Sequence, residues 1–193
     1  MTLAEDRQTV RARLLDAMAE CLSERGYRAT TIADVVRVAR TSKRSFYDEF
    51  SDKEQCYLEL MAAVNVRMLA AIEHAVDPTV PWRDQVEQAV RAYLDVCDTN
   101  PGTTCSWVRE LPALGASARE VQSASLEAFI VLMARLTSTE QFRDAGISPM
   151  PREVAVIVWG GIRELAVSSI ESGRPLRSFE SAMIAACSAL AGA

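Results

Sequence analysis

The chain has 193 residues and a formal net charge of −5, and hydrophobic residues make up 49% of it. That length and apolar content suffice for one substantial domain or two small ones, which excludes wholesale disorder. Aromatic residues account for only 6%, and alanine, leucine and arginine are abundant, so the composition favours helices over sheets.

Cysteine and histidine usage limits the chemistry that the chain can perform. Five cysteines are scattered without a CxxC pair, and His74 is the single histidine. The pattern favours free thiols in a cytoplasmic protein without a secretory signal, and it excludes a multi-histidine metal site. The longest apolar run, residues 154–162, is too short to span a membrane. We therefore expect a protein that has no cofactor and makes no membrane contact.

The negative charge is unevenly distributed. Residues 1–53 carry ten Lys/Arg and nine Asp/Glu, whereas residues 54–193 carry eleven and seventeen. Between Arg25 and Arg44, six basic residues stand against one acid, Asp34. Because attraction to phosphate depends on the local field, the overall acidity does not exclude a nucleic-acid partner. A solvated charged surface remains an equally good interpretation of this cluster alone.

The N-terminal stretch predicts three helices that depend on one another. Residues 9–25 form the first, which Gly26 ends. Thr31 caps the second, a two-turn helix, and Asp34 three positions later completes a capping box. A turn at residues 40–41 leads to a third helix, capped by Ser42. Two short helices joined by a tight turn indicate a helix-turn-helix, whose second helix can enter a DNA major groove.

The rest of the chain is also predicted to be helical. A second capping box, Ser51 with Glu54, begins a long helix, and residues 78–81 form a linker after it. The apolar run 154–162 by itself fits a buried strand as well, but no other segment resembles a sheet partner. The predicted helices, which bring the total to about nine, span residues 52–74, 82–98, 103–111, 118–137, 152–172 and 178–190.

Residues 14–54, LLDAMAECLSERGYRATTIADVVRVARTSKRSFYDEFSDKE, resemble the TetR (TetR/AcrR) family of bacterial transcriptional regulators. The resemblance lies in ERGY-x-ATT, ADVV, SK, FY, F and S-x-KE at matching offsets. It implies an all-α homodimer that binds a roughly palindromic double-stranded operator. Residues 1–53 would form the DNA-binding domain, with the helix-turn-helix at 31–50, and residues 54–193 a helical ligand-binding and dimerisation domain.

The resemblance also implies which residues contact DNA. Thr30 and Thr31 at the start of the second helix would contact phosphates, and so would Lys43, Tyr47 and Lys53. Arg44 would reach a base edge, where arginine pairs with guanine. The alternative is that Arg44 pairs with Asp48 one turn later. The predicted DNA-contacting residues are Arg28, Thr30, Thr31, Arg40, Thr41, Ser42, Lys43, Arg44, Tyr47 and Lys53.

This sequence departs from the family pattern at the turn and on the recognition helix. Arg40 and Thr41 replace a glycine and an apolar residue, and a non-glycine residue in a left-handed turn costs on the order of 1 kcal/mol. Asp48 and Glu49 replace aromatic or histidine residues. We expect both carboxylates to point along the groove or into solvent, because phosphates would repel them. The operator sequence cannot be predicted from these residues.

The resemblance further implies a small-molecule effector, mostly apolar with one polar group, and a dimer interface on the last two long helices. Gly160 and Gly161 would let two helices approach closely. Ordinary core packing is the alternative for every residue of both sets. The predicted ligand site is Met61, Tyr93, Cys97, Trp107, Arg109, Glu110, Phe129, Met133 and Trp159. The predicted dimer interface is Val158, Gly161, Ile162, Leu165, Phe179, Met183, Ala186 and Leu190.

The function expected from these observations is a repressor that a small, largely apolar ligand releases from its operator. One alternative is an activator of the same family, and another is a helical interaction protein whose DNA-binding part has decayed. An enzyme is disfavoured because no GxSxG, P-loop or GxGxxG motif occurs. A redox role for Cys97 and Cys105, which flank a predicted loop, is a weaker hypothesis.

Overall fold

The computed structural model describes residues 3–192, with their side chains from residue 10 onward. Every regular element in that range is helical, which confirms the all-α fold class. Short 3-10 turns lie at Leu111–Leu114 and Leu176–Phe179. The α-helices are α1 (Leu3–Ala29), α2 (Ile32–Val38), α3 (Lys43–Glu49), α4 (Lys53–Ala75), α5 (Trp82–Thr99), α6 (Pro101–Arg109), α7 (Ala116–Leu136), α8 (Glu140–Asp144), α9 (Arg152–Glu171) and α10 (Glu180–Ala191).

From α4 onward, the predicted helix ends agree closely with the structure. The apolar run 154–162 is helical and belongs to α9. Sequence analysis missed α8, because five residues are too few for a helical period to be visible. Gly26 has φ 74° and ψ 172°, which are not helical values, so the regular part of α1 ends there as expected.

The cap of α4 differs from the prediction by one residue. Asp52 Oδ1 accepts a hydrogen bond from the Gln55 N–H at 2.8 Å, and Gln55 Oε1 accepts one from the Ser51 N–H at 2.6 Å. Asp52 is therefore the N-cap, not Ser51, and Gln55 replaces Glu54 as its partner. Serine and aspartate favour this position about equally, so their order in the sequence could not decide between them.

The chain forms two compact units. The first consists of the N-terminal part as far as Val64 together with Asn100–Val121, and the second of Asn65–Thr99 and the part from Gln122 onward. The predicted division after residue 53 was drawn by function; by packing, α6 belongs with the N-terminal helices. In the described part of the chain, no helix is long and apolar enough to cross a membrane.

Each unit has its own apolar core. In the first, the largest buried side chains include Leu14, Phe46, Phe50 and Tyr57, each at most 1% exposed. The second is centred on residues of α5, α7, α8 and α10, including Leu94, Phe129, Phe142 and Met183. None of the first three helices has a face large enough for independent stability, so their geometry depends on this shared core.

Candidate functional site

The start of α2 is fixed by the predicted capping box. Thr31 Oγ1 accepts from the Asp34 N–H at 3.2 Å, and Asp34 Oδ2 accepts from the Thr31 N–H at 3.0 Å. The Thr31 hydroxyl also donates to the same carboxylate at 2.6 Å. These hydrogen bonds from Thr31, reinforced by Arg25 and Arg37, lower the pKa of Asp34. The box defines where the helix-turn-helix begins.

The turn between α2 and α3 has the strained geometry that the sequence predicts. Arg40 has φ 50°, the single positive φ at a non-glycine residue in the described chain. The Thr41 N–H donates to Val36 O at 2.9 Å and closes the turn. Ser42 then caps α3, since its side chain accepts from the Ser45 N–H at 3.0 Å. The departure from the family pattern therefore leaves the turn intact, at the cost of backbone strain.

The helix α3 separates an apolar inner face from a cationic outer one. Phe46 and Phe50 are buried, with ring centroids 5.6 Å apart. Lys43 and Arg44 are exposed, and Tyr47 is 57% exposed. Within the described residues no ion pair joins Arg44 to Asp48, the alternative that their spacing allowed. The guanidinium of Arg44 is therefore available to a partner that binds the outer face of α3.

Arg11 neutralises the far end of α3, a role that sequence analysis missed. Its Nη1 donates to Glu49 O at 2.8 Å and lies 3.3 Å from Glu49 Oε2. The same guanidinium pairs with Glu59 and lies 4.4 Å from the centroid of the Phe50 ring. The Glu49 side chain is only 13% exposed. The expectation that Glu49 points into solvent or along a groove was wrong, because a cation 38 residues away holds it.

The phosphate contacts predicted for Thr30 and Thr31 do not fit the geometry. Thr30 is 1% exposed, its hydroxyl donates to Gly26 O at 2.7 Å, and its N–H donates to Tyr27 O at 3.2 Å. Both donors of Thr31 are bonded to Asp34. These threonines build the start of α2 and have no donor left for DNA.

Lys53 is likewise bonded within the protein. Its Nζ donates to Tyr27 O and Thr30 O, both at 2.9 Å, and lies 4.1 Å from the centroid of the Tyr27 ring. Burial lowers the pKa of Lys53, an effect that nearby Glu110 partly offsets. The ammonium group therefore secures the segment between α1 and α2, and a phosphate contact by Lys53 remains only a prediction.

Glu110 meets the same segment from the end of α6. The Tyr27 N–H donates to its two carboxylate oxygens at 2.9 and 3.0 Å. Ser106 Oγ donates to Glu110 Oε2 at 2.6 Å, and the Tyr57 hydroxyl lies 2.9 Å from Ser106 Oγ. The rings of Tyr27 and Tyr57 pack at 4.3 Å. We call Tyr27, Lys53, Tyr57, Ser106 and Glu110 the carboxylate clamp. Its contacts join three distant parts of the sequence, at Tyr27, on α4 and on α6, so no local signal could have shown it.

The family model described as "Bacterial regulatory proteins, tetR family" matches residues 14–60. This range contains the capping box, the turn, α3 and the start of α4. Residues 14–60 therefore form a TetR-family DNA-binding domain. The chain is a DNA-binding transcriptional regulator, and the matched family consists of transcriptional regulators.

Relatives of the chain agree with that match. It is 23% identical over 145 residues to the uncharacterized HTH-type transcriptional regulator YhgD of Bacillus subtilis, covering 75% of each chain. It is 29% identical over 89 residues to the HTH-type transcriptional activator FasR of Mycolicibacterium smegmatis, covering 46% of this chain and 41% of FasR. The fold resembles that of the transcriptional regulator FadR from Bacillus subtilis, solved with stearoyl-CoA: the TM-score is 0.79 at 13% identity, with 94% and 98% of the chains covered.

A partly open apolar cavity lies within the second unit. It encloses about 70 Å³ between α4, α5, α7, α8, α9 and α10. Three residues of the predicted ligand site line it: Tyr93, Phe129 and Met133. Trp159 lies behind the wall, with its ring 4.7 Å from that of Phe129.

The other predicted ligand residues lie elsewhere. Cys97 is buried in the second unit but does not line the cavity. Met61, Trp107, Arg109 and Glu110 belong to the first unit. Arg109 and Glu110, the two charged residues of the predicted set, do not line this cavity, because α6 packs in the first unit and helical periodicity could not show that.

The structure also divides the predicted dimer residues. Val158, Ile162 and Met183 line the cavity, and Val158 and Met183 are buried within the protomer and present little surface to a partner. Gly161 and Ala186 are exposed, whereas Leu165, Phe179 and Leu190 are half-buried. Apolar residues cover both faces of α9, and sequence alone could not tell which face packs within the protomer.

Proposed function

We propose that this regulator is a homodimeric repressor that leaves its operator when an apolar molecule occupies the cavity of the second unit. The observation that carries the proposal is the almost entirely apolar lining of this cavity. The apolar lining of the cavity limits which effectors can bind. The exposed residues of α3 limit which contacts the protein can make with DNA.

The proposed DNA surface consists of the predicted residues that keep an exposed side chain. Lys43 and Tyr47 would contact phosphates, which fixes register without reading sequence. Arg44 would form a bidentate pair with a guanine edge. Arg28 and Arg40 would attract the phosphate backbone of the DNA. Thr41 and Ser42 would stabilise the turn between α2 and α3. Because Arg11 pairs with Glu49, the acidic end of α3 would repel DNA phosphates less than its sequence suggests.

The polar groups in the cavity wall are bonded to the protein. Gln85 Nε2 donates to Val80 O at 2.8 Å, and the Thr137 hydroxyl donates to Met133 O at 2.8 Å. Burial raises the pKa of the Cys187 thiol to about 11, which keeps it neutral. The wall therefore offers hydrocarbon contacts, which suit a ligand that is apolar where it enters.

The cavity is small for such a ligand. Pockets that bury a drug-sized molecule measure roughly 300–1,000 Å³, so an effector of that size would have to widen it. Met133, Met150 and Met183 line the cavity, and unbranched methionine side chains repack at low cost. The likeness to FadR, which was solved with stearoyl-CoA, supports a long acyl chain as the first ligand to try. Widening of the cavity by an acyl chain would then change the distance between the two DNA-binding units of the dimer.

The proposed dimer surface is the outward face of α9 and α10. Ile157 is 60% and Val156 40% exposed. A Cβ atom added to Gly160 or Gly161 would meet nothing within 4 Å, so this face lies open. On α10 the exposed residues are almost all alanine, at 182, 185, 186 and 189. Small residues on two neighbouring helices suit close helix packing in a bundle with a second copy.

The effector proposal predicts that Ala89→Phe uncouples binding of the ligand from release of the operator. Ala89 lines the cavity, and a phenyl ring there would fill the space that a ligand needs. We expect wild-type protein to release its operator duplex on addition of stearoyl-CoA. The variant should bind the same duplex with similar affinity but need at least about tenfold more ligand, which corresponds to 1.4 kcal/mol.

Fluorescence anisotropy of the labelled duplex measures this, with Ala124→Phe, an exposed position of α7, as the control. Equal ligand sensitivity of Ala89→Phe and wild type would place the effector site elsewhere.

Transcription from an operator-bearing promoter shows whether the protein represses or activates. Removal of the protein should raise it, whereas a fall would establish the activator that the FasR relative suggests.

A further inference from the structure

The helix α6 is attached to α1 at both of its ends. Near its start, a Cβ atom added to Gly102 would lie 2.4 Å from Ser23 Cα, so the two backbones touch and only glycine fits. At its end, Glu110 binds the Tyr27 N–H just past the kink of α1. Two attachments about two turns apart leave α6 little freedom to move without α1.

The carboxylate clamp forms a closed ring of contacts between three elements. From Glu110 the ring runs to the Tyr27 N–H, and from Tyr27 O to Lys53 on α4. It returns along α4 to Tyr57, and through Ser106 to Glu110 again. A hydrogen bond with one charged partner is roughly twice as strong as a neutral one, and three links of this ring are of that type.

The segment held by the clamp is the one that places α2. Tyr27 donates to the clamp, Lys53 binds both Tyr27 O and Thr30 O, and Thr30 immediately precedes the N-cap of α2. Gly26 also fits the clamp closely: its φ is 74°, and a Cβ there would lie 3.0 Å from Glu110 Oε1. A shift of α6 would therefore displace the start of the helix-turn-helix directly.

We propose that Glu110 is a positioning residue for DNA binding, which couples α6 to the orientation of α2 and α3 through the carboxylate clamp. Glu110 itself makes no contact with DNA. It sets the position of the segment from which the helix-turn-helix starts. The clamp is thus the point at which a movement of α6 changes the fit of α3 to the major groove.

The test compares Glu110→Ala and Glu110→Gln with Glu120→Gln, an exposed glutamate of α7 in the same unit. The ligand is a duplex that wild-type protein selects from a random library. We expect Glu110→Ala to lose about tenfold in affinity, because the segment that places α2 loses its charged acceptor. Glu110→Gln keeps one acceptor for the Tyr27 N–H and should recover part of the loss. The control should bind like wild type.

Two readouts separate positioning from a loss of stability. Binding is measured over a range of salt at a temperature where circular dichroism shows every variant folded. Positioning predicts a salt slope lower by about 1, the value for one lost phosphate contact. It also predicts faster hydrogen exchange at the Tyr27 amide. Wild-type affinity and slope in Glu110→Ala, or an affinity loss with an unchanged slope, would overturn the proposal. If Glu110→Ala does not fold, Glu110→Gln and Ser106→Ala decide by the same criteria.

Discussion

Replacing Arg44 by alanine is expected to abolish discrimination at one base pair of each half-site. An arginine that reads guanine bidentately contributes about 1–3 kcal/mol against the wrong base. The exposed Arg44 near the tip of α3 is placed for such a pair, and no ion pair to Asp48 in the described structure competes with it. Binding to the preferred duplex should fall about 5- to 150-fold per half-site, whereas binding to unrelated DNA should change little.

Lys43→Ala should behave differently, because a lysine on phosphate carries no sequence information. We expect its affinity to fall for all duplexes alike, with a salt slope smaller by about 1 for each half-site. Competition binding with duplexes altered at single base pairs separates the two variants. Arg119→Ala, an exposed arginine on α7, serves as the control for lost charge. Equal losses in Arg44→Ala and Lys43→Ala on every duplex would reject this division of roles.

Introducing a charge at Ile157 is expected to separate the dimer and with it the two DNA-binding units. The 60% exposed side chain lies on the open glycine face of α9. A carboxylate there would be buried without a partner in the bundle that we propose. Without avidity from the second half-site, operator affinity should fall by about 10²-fold or more. Sedimentation equilibrium measures the mass, and anisotropy measures the binding.

Val131→Asp is a matched control for this variant. Val131 lies on α7, is 65% exposed, and would receive the same charge away from the proposed interface. We expect this control to remain a dimer and to bind its operator like wild type. A dimeric Ile157→Asp, or a monomeric Val131→Asp, would show that the interface lies on another face.

Local chemistry explains what could be predicted from the sequence. The box of Thr31 and Asp34, the cap at Ser42 and the buried pair Phe46 and Phe50 all depend on residues three or four positions apart. Such pairs are fixed by the helical repeat whatever the rest of the chain does. The left-handed backbone of Arg40 was expected for another reason, because the resembling family has a glycine at this position.

The features that sequence analysis missed are long-range. Arg11 reaches Glu49 across 38 residues, and Glu110 reaches Tyr27 across 83. A periodic pattern identifies an apolar face but not its partner, so Val158 and Met183 were assigned to the dimer although they line the cavity. A position in a motif does not show the partner of a side chain either. The position of Lys53 predicted a phosphate contact, but its ammonium group binds two backbone carbonyls.

Selection of an operator from a random duplex library tests the central claim most directly. The account predicts enrichment of a roughly palindromic sequence whose half-sites lie about 34–36 Å apart or at a multiple of that distance. Binding of the purified dimer to this duplex should weaken steeply as salt rises and should exceed binding to random DNA by at least about 10³-fold. If no sequence is enriched, and binding at low salt equals that to random DNA, the protein does not read an operator through α3.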